Sequence, residues 1–173
     1  MKTRTSSLLF AFALVLTSLS LTGTAQSAPP KLLGKFKDWN AFRVEDGTET
    51  ICFVVSEPKS TSPKNVKRGD IFFMITDWGP KNSGLEPSVI TGYPYKVGSS
   101  VTVTIGSDKF ELFTQEDAAW LRDGDSEKRI VNAMRRGSRM IVTGTSQRGT
   151  LTKDNYSLSG VTAALEHVAK NCT

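Results

Sequence analysis

One histidine and two cysteines are all that this 173-residue chain offers of the side chains that most often ligate metals or shuttle protons. Three or four zinc ligands at usual spacings cannot be assembled from them. No Gly-x-Ser-x-Gly elbow presents a serine nucleophile, and no Cys-x-x-Cys pair supports redox exchange. Residues 144–151, Gly-Thr-Ser-Gln-Arg-Gly-Thr-Leu, hold two glycines five apart, as a phosphate-cradling loop does. Such a loop needs Lys and then Ser or Thr after its second Gly, and Thr150 and Leu151 stand there instead. The stretch reads as a hairpin tip. The aromatic residues Trp39, Trp78, Trp120, Tyr93 and Tyr95 are scattered and do not alternate with cations on one face, so they read as core, and nucleic acid is excluded as a partner.

What is present begins with a leader. Lys2 and Arg4 precede an uncharged, mostly apolar run from Leu8 to Leu21 and the small residues Thr22-Gly23-Thr24-Ala25. That run is shorter than the roughly 20 residues a spanning helix needs, and it reads as a secretory signal peptide cut after Ala25. Residues 1–25 are then the signal peptide and residues 26–173 one mature domain, with no transmembrane segment. Its location is expected to be periplasmic, cell-surface or secreted. In an oxidising compartment Cys52 and Cys172 permit one intramolecular pairing, and a disulfide between them is the default.

Charge is segregated along the mature chain. Between residues 126 and 153, Lys128, Arg129, Arg135, Arg136, Arg139, Arg148 and Lys153 face only Glu127. Arg135, Arg136, Arg139 and Arg148 form a candidate basic contact edge, joined by a cationic loop from Lys59 to Arg68. The plainer reading is a solvated helix face and hairpin. Residues 56–70 hold two prolines, four cations and no apolar residue but Val66, and read as an exposed loop.

β-branched and aromatic runs bounded by Gly, Pro, Asn and Asp predict strands over 39–44, 51–55, 71–76, 88–91, 101–105, 109–113, 139–145 and 155–158. In Val101-Thr102-Val103-Thr104-Ile105 one face is apolar and the other wet. One helix is expected over 126–136, with Asp123, Asp125 and Ser126 at its start, Arg135 and Arg136 at its end and Gly137 as stop. A second is expected over 160–171, where Val161, Ala164, Leu165 and Val168 recur on one side. Cys172 points with that apolar side, so the disulfide would tie the terminal helix to the strand of Cys52.

Candidates for catalysis are few. His167 lies on the flank of the second helix without a nucleophile beside it in the pattern. Glu116-Asp117 could be a paired-carboxylate site, although Thr114-x-x-Asp117 reads as the start of a single helical turn with Trp120 as core. Asp123-Gly124-Asp125-Ser126-Glu127 begins like a calcium loop but lacks its sixth-position Gly and twelfth-position Glu. A hydrolase would have to gather Glu116, Asp117 or His167. The residues therefore give no catalytic site, no metal site and no cofactor.

The segments Asp38-Trp39, Cys52, Ser56-Glu57-Pro58-Lys59, Arg68-Gly69-Asp70, Gly92-Tyr93-Pro94, Phe110-Glu111-Leu112-Phe113 and Ala119-Trp120-Leu121 lead into a specific C-terminal third. There Ala133-Met134-Arg135-Arg136-Gly137-Ser138-Arg139, Arg148-Gly149-Thr150, Tyr156-Ser157-Leu158-Ser159-Gly160, Ala163-Ala164-Leu165 and Cys172 follow. Together they resemble the invasion-associated locus B family. The resemblance implies an exported alphaproteobacterial protein, similar to one named for a role in penetrating host red cells, and an immunoglobulin-like antiparallel β-sandwich with one inserted helix and a disulfide-tied C-terminal helix. It brings no catalytic residues, and Cys52 and Cys172 fit its cysteine pattern. The expected function is that of an exported non-enzymatic binding protein with a protein, envelope or host-surface partner. An envelope-maintenance factor and a hydrolase are the alternatives.

Overall fold

Alternating apolar and polar residues build short strands, and two stretches of helical spacing interrupt them. The computed structural model describes residues 29–47, 49–79 and 84–172, so the expected signal peptide at 1–25 lies outside the described residues. The strands are β1 (Lys31–Phe36), β2 (Trp39–Asp46), β3 (Glu49–Ser56), β4 (Ser60–Ser62), β5 (Phe72–Asp77), β6 (Leu85–Ile90), β7 (Ser100–Ile105), β8 (Asp108–Gln115), β9 (Ala118–Trp120), β10 (Arg139–Thr145) and β11 (Leu151–Ser157). Helix α1 (Gly124–Arg136) separates β9 from β10, and α2 (Val161–Asn171) follows β11.

All the strand pairings are antiparallel, in the order β1-β2-β3-β5-β6-β9-β8-β7-β10-β11-β4. The sheet then folds over on itself. Trp39 on β2, Phe73 on β5 and Tyr156 on β11 form an edge-to-face row with ring centroids 6.3 and 6.0 Å apart. Strands from both ends of the order thus share one core. Trp39 Nε1 donates to the Ser157 carbonyl at 3.0 Å, and the Asp38 amide donates to the Ser159 carbonyl at 3.2 Å. The outcome is the expected antiparallel β-sandwich, with hydrogen bonding continuous through one sheet where an immunoglobulin domain has two.

Helix α1 is capped by Asp123, whose carboxylate accepts from the Ser126 amide at 2.8 Å, and it buries Ile130, Val131, Ala133 and Met134. Gly137 ends it in extended backbone, so packing requires the glycine here: a Cβ would stand 2.7 Å from Ile105 Cγ2 and 2.9 Å from Leu158 Cδ1. Helix α2 lies against β1, β2 and β3 and buries Val161, Ala164, Leu165 and Val168. Burial of Val161, Leu165 and Val168 contributes about 1.5 to 3 kcal/mol each. The chain turns into α2 at Gly160, with φ +98° and no room for a Cβ, which would overlap the Phe36 carbonyl. The disulfide between Cys52 and Cys172 spans 120 residues with Cα atoms 6.0 Å apart, and it fastens the end of α2 to β3 as expected.

Several local expectations give way. Glu116, at φ 54°, and Asp117 form the tight turn of the β8–β9 hairpin, in which Gln115 faces Ala118. No helical turn starts at Thr114, because it is paired with Ala119 in that hairpin; its hydroxyl donates to the Ser99 carbonyl at 2.8 Å. Trp120 is half-buried on β9 beside Phe113, and Trp78 is exposed just past β5, so neither belongs to the closed core. The loop expected at 56–70 contains β4, paired to β11, and it buries an arginine.

Candidate functional site

Strand β11 alternates Thr152, Asp154 and Tyr156 inward, all buried, with Leu151 and Lys153 exposed. A carboxylate on the inward face needs a cation and hydrogen bonds, because burying an unpaired charge is costly. Arg68 supplies both. Its Nη1 and Nη2 donate to the two Asp154 carboxylate oxygens at 2.6 and 2.7 Å, and its Nε donates to the Thr91 carbonyl at 3.0 Å. The Arg68 and Asp154 side chains are 6% and 1% exposed. The guanidinium also lies 4.9 Å over the Tyr93 ring. Burial works against the charge of Arg68, but hydrogen bonding and attraction to Asp154 outweigh it and raise its pKa above the ordinary value.

Backbone contacts hold this arginine in place. β4 sets Thr61 opposite Asp154, and the Gly69 amide donates to the Gly92 carbonyl at 2.8 Å. Gly92 has φ +68°, and a Cβ there would come within 2.6 Å of Gly69, so the two segments meet backbone to backbone. Around the ion pair stand three tyrosines. Tyr93 and Thr152 share a hydroxyl–hydroxyl bond of 2.6 Å, while the hydroxyls of Tyr95 and Tyr156 are buried without a partner among the described residues. Burial pushes all three phenols above their ordinary range, so they remain protonated in neutral solution.

Above the ion pair opens a cleft of about 530 Å³, between loop residues 65–68, residues 92–94 and the β10–β11 turn. Its walls are tied together: the Gln147 amide donates to the Pro94 carbonyl at 2.8 Å, and the Lys96 amide donates to the Thr145 carbonyl at 3.0 Å. The turn is braced from within, as the Thr150 amide donates to Ser146 Oγ at 3.1 Å. Residues 144–151 are thus a hairpin tip, as their sequence suggests. Lys67 and Arg148 line the cleft, and neither has an ion-pair partner among the described residues. Among the described residues no acidic side chain lines it.

The four arginines of the expected basic edge divide between two places. Arg135 and Arg136 close α1, Arg139 opens β10, and all three are exposed at one corner. Arg148 lies beyond the other end of β10, whose seven residues span roughly 20 Å, and it joins Lys67 at the cleft. Sequence reasoning missed Asp154 and the burial of Arg68. The signal was the inward parity of Thr152, Asp154 and Tyr156 on one strand.

Glu116 and Asp117 line a shallow groove with Asp70, Phe72 and Ile90, while the His167 ring rests 5.1 Å from that of Phe36 on β1. The fold sets the carboxylates and the imidazole on different elements, against different neighbours. Among the described residues no group of three His, Cys, Asp or Glu side chains is placed to hold a metal ion. No described helix is long and apolar enough to cross a membrane.

A family model for "Invasion associated locus B (IalB) protein" matches residues 39–169, about three quarters of the chain. The fold is similar to that of the invasion associated protein B of Bartonella henselae, known from a crystal structure. The TM-score is 0.58 at 13% sequence identity, with 83% of this chain and 97% of that one covered. A search of curated proteins found no match. The matched span runs from Trp39 of the core aromatic row to Ala169 on the last turn of the disulfide-tied helix, and the chain belongs to the invasion associated locus B family.

Proposed function

We propose that the protein is an exported, non-enzymatic binding protein of the invasion associated type, which engages a protein at the bacterial envelope or on a host surface. The observation that carries this reading is the corner where α1 gives way to β10. Arg135, Arg136 and Arg139 crowd within five residues there, exposed and without an ion-pair partner among the described residues. Exposed like charges repel one another and are free to meet an acidic surface, which they would steer into contact. A disulfide joining the two cysteines supports export, since such bonds persist where the surroundings oxidise thiols. The names borne by the family and by its Bartonella member support a role in host-cell interaction or invasion.

Charge reversal tests it. The triple variant Arg135→Glu, Arg136→Glu, Arg139→Glu is compared with the unmodified protein in a pull-down from envelope or host-membrane extract. The expected result is loss of a partner that the unmodified protein retains and that high salt also releases. Retention of every partner by the triple variant would overturn the assignment of this corner.

A further inference from the structure

We propose that the cleft between residues 65–68, Tyr93-Pro94 and the β10–β11 turn binds a small acidic sugar, with Lys67 and Arg148 taking its carboxylate. The inference goes beyond the reading above and does not depend on it, since Arg135, Arg136 and Arg139 lie at the other end of β10.

Three observations meet at this place. The first is charge: Lys67 and Arg148 are exposed cations with no ion-pair partner among the described residues, in a cleft lined by no carboxylate. The Arg68 guanidinium beneath them is paired with Asp154 and donates to the Thr91 carbonyl, so its charge is balanced there and the free cations of the cleft are Lys67 and Arg148. An arginine fork suits the planar, two-oxygen face of a carboxylate, and a lysine adds a point charge. The second is neutral polarity. The side chains of Asn65, Gln147 and Thr150 line the same cleft and carry no hydrogen bond among the described residues, so they are free for ligand hydroxyls. Pro94 adds apolar surface for the C–H face of a sugar ring, beside Tyr93, one face of whose ring is covered by the Arg68 guanidinium.

The third is rigidity. The cleft is walled by three segments hydrogen-bonded to one another through Gly69–Gly92 and Pro94–Gln147, above a buried ion pair. A site whose walls are fixed before binding loses little freedom when the ligand arrives. A volume near 530 Å³ falls in the range of small-molecule sites and admits one or two sugar rings. No helix begins at the cleft, so recognition of the anionic group falls to the Lys67 and Arg148 side chains.

The test is a titration of the purified, disulfide-bonded protein, followed by amide chemical shifts, with glucuronate, glucose, an acidic dipeptide and inorganic phosphate as separate probes. Glucuronate is expected to shift the amides of Lys67, Arg68, Gln147 and Thr150, while glucose leaves them in place. Lys67→Ala and Arg148→Ala, both at exposed positions, are each expected to weaken glucuronate binding about tenfold with the melting temperature unchanged. If either variant fails to fold, the salt dependence of the unmodified protein replaces it. Binding that survives high salt undiminished would then overturn the role of the cations. No shift with glucuronate, equal shifts with glucose, or stronger shifts with phosphate or the dipeptide would each overturn the proposal.

Discussion

Arg68 and Asp154, 86 residues apart in the chain, meet through two parallel hydrogen bonds of 2.6 and 2.7 Å inside the sandwich. This contact fastens the strap after β4 to the inner face of β11, and with it one wall of the cleft. Each charge is tolerable only because of the other.

Removing one partner should therefore cost more than removing both. Arg68→Met or Asp154→Leu leaves a buried charge unpaired and is expected to lower stability by about 3 to 5 kcal/mol. The double variant replaces the pair by apolar side chains and is expected to be more stable than either single one. Urea unfolding with the disulfide intact measures all three, and losses that simply add would show that the two residues do not act as a unit.

The disulfide between Cys52 and Cys172 predicts a local effect and a global one. Joining residues 120 apart restricts the unfolded chain, so Cys52→Ala with Cys172→Ala is expected to cost about 2 to 5 kcal/mol. The end of α2 also loses its covalent tether to β3. Hydrogen exchange should then speed up first at the last turn of α2, around Val168 to Asn171, while β10 and β11 keep their protection. Uniform acceleration throughout would mean that the bond acts only by restricting the unfolded chain.

Strands were legible in the sequence wherever side chains alternated, as in Val101 to Ile105, or ran apolar between turn residues, as in Ile51 to Val55. The three that were not, β1, β4 and β9, owe their extension to their neighbours. β4 is three residues, Ser60–Ser62, with no apolar side chain, and it exists because β11 offers a free edge. The disulfide was legible because two cysteines allow one pairing. The Arg68–Asp154 contact was hidden by a strand start placed at Asn155, one residue too late to reveal the inward parity of Asp154. Four cations in a proline-containing loop also read as solvated surface, and only the fold shows which of them turns inward.

At the start of α1 the capping Asp123 and Glu127 of the first turn respond to pH in opposite senses. The Ser126 amide, helped by the Ser126 hydroxyl, holds the Asp123 carboxyl below its ordinary value of 3.8. Its contribution to stability is present above the unfolded value and is lost as pH falls through the folded one. Burial, helped by repulsion from Glu86 and Asp123, raises the Glu127 carboxyl above 4.5. The native state holds that proton more tightly than the unfolded chain does, so stability is full while Glu127 is protonated and declines as pH rises through its folded pKa. Asp123→Ala should accordingly melt below the unmodified protein at about pH 7 and approach it at about pH 3. Glu127→Gln should do the reverse, melting higher at about pH 7 with the difference vanishing at about pH 3. Thermal melts of the three proteins across that interval decide the signs. A Glu127→Gln variant no more stable than the unmodified protein at neutral pH would show that burial exacts nothing from this carboxylate.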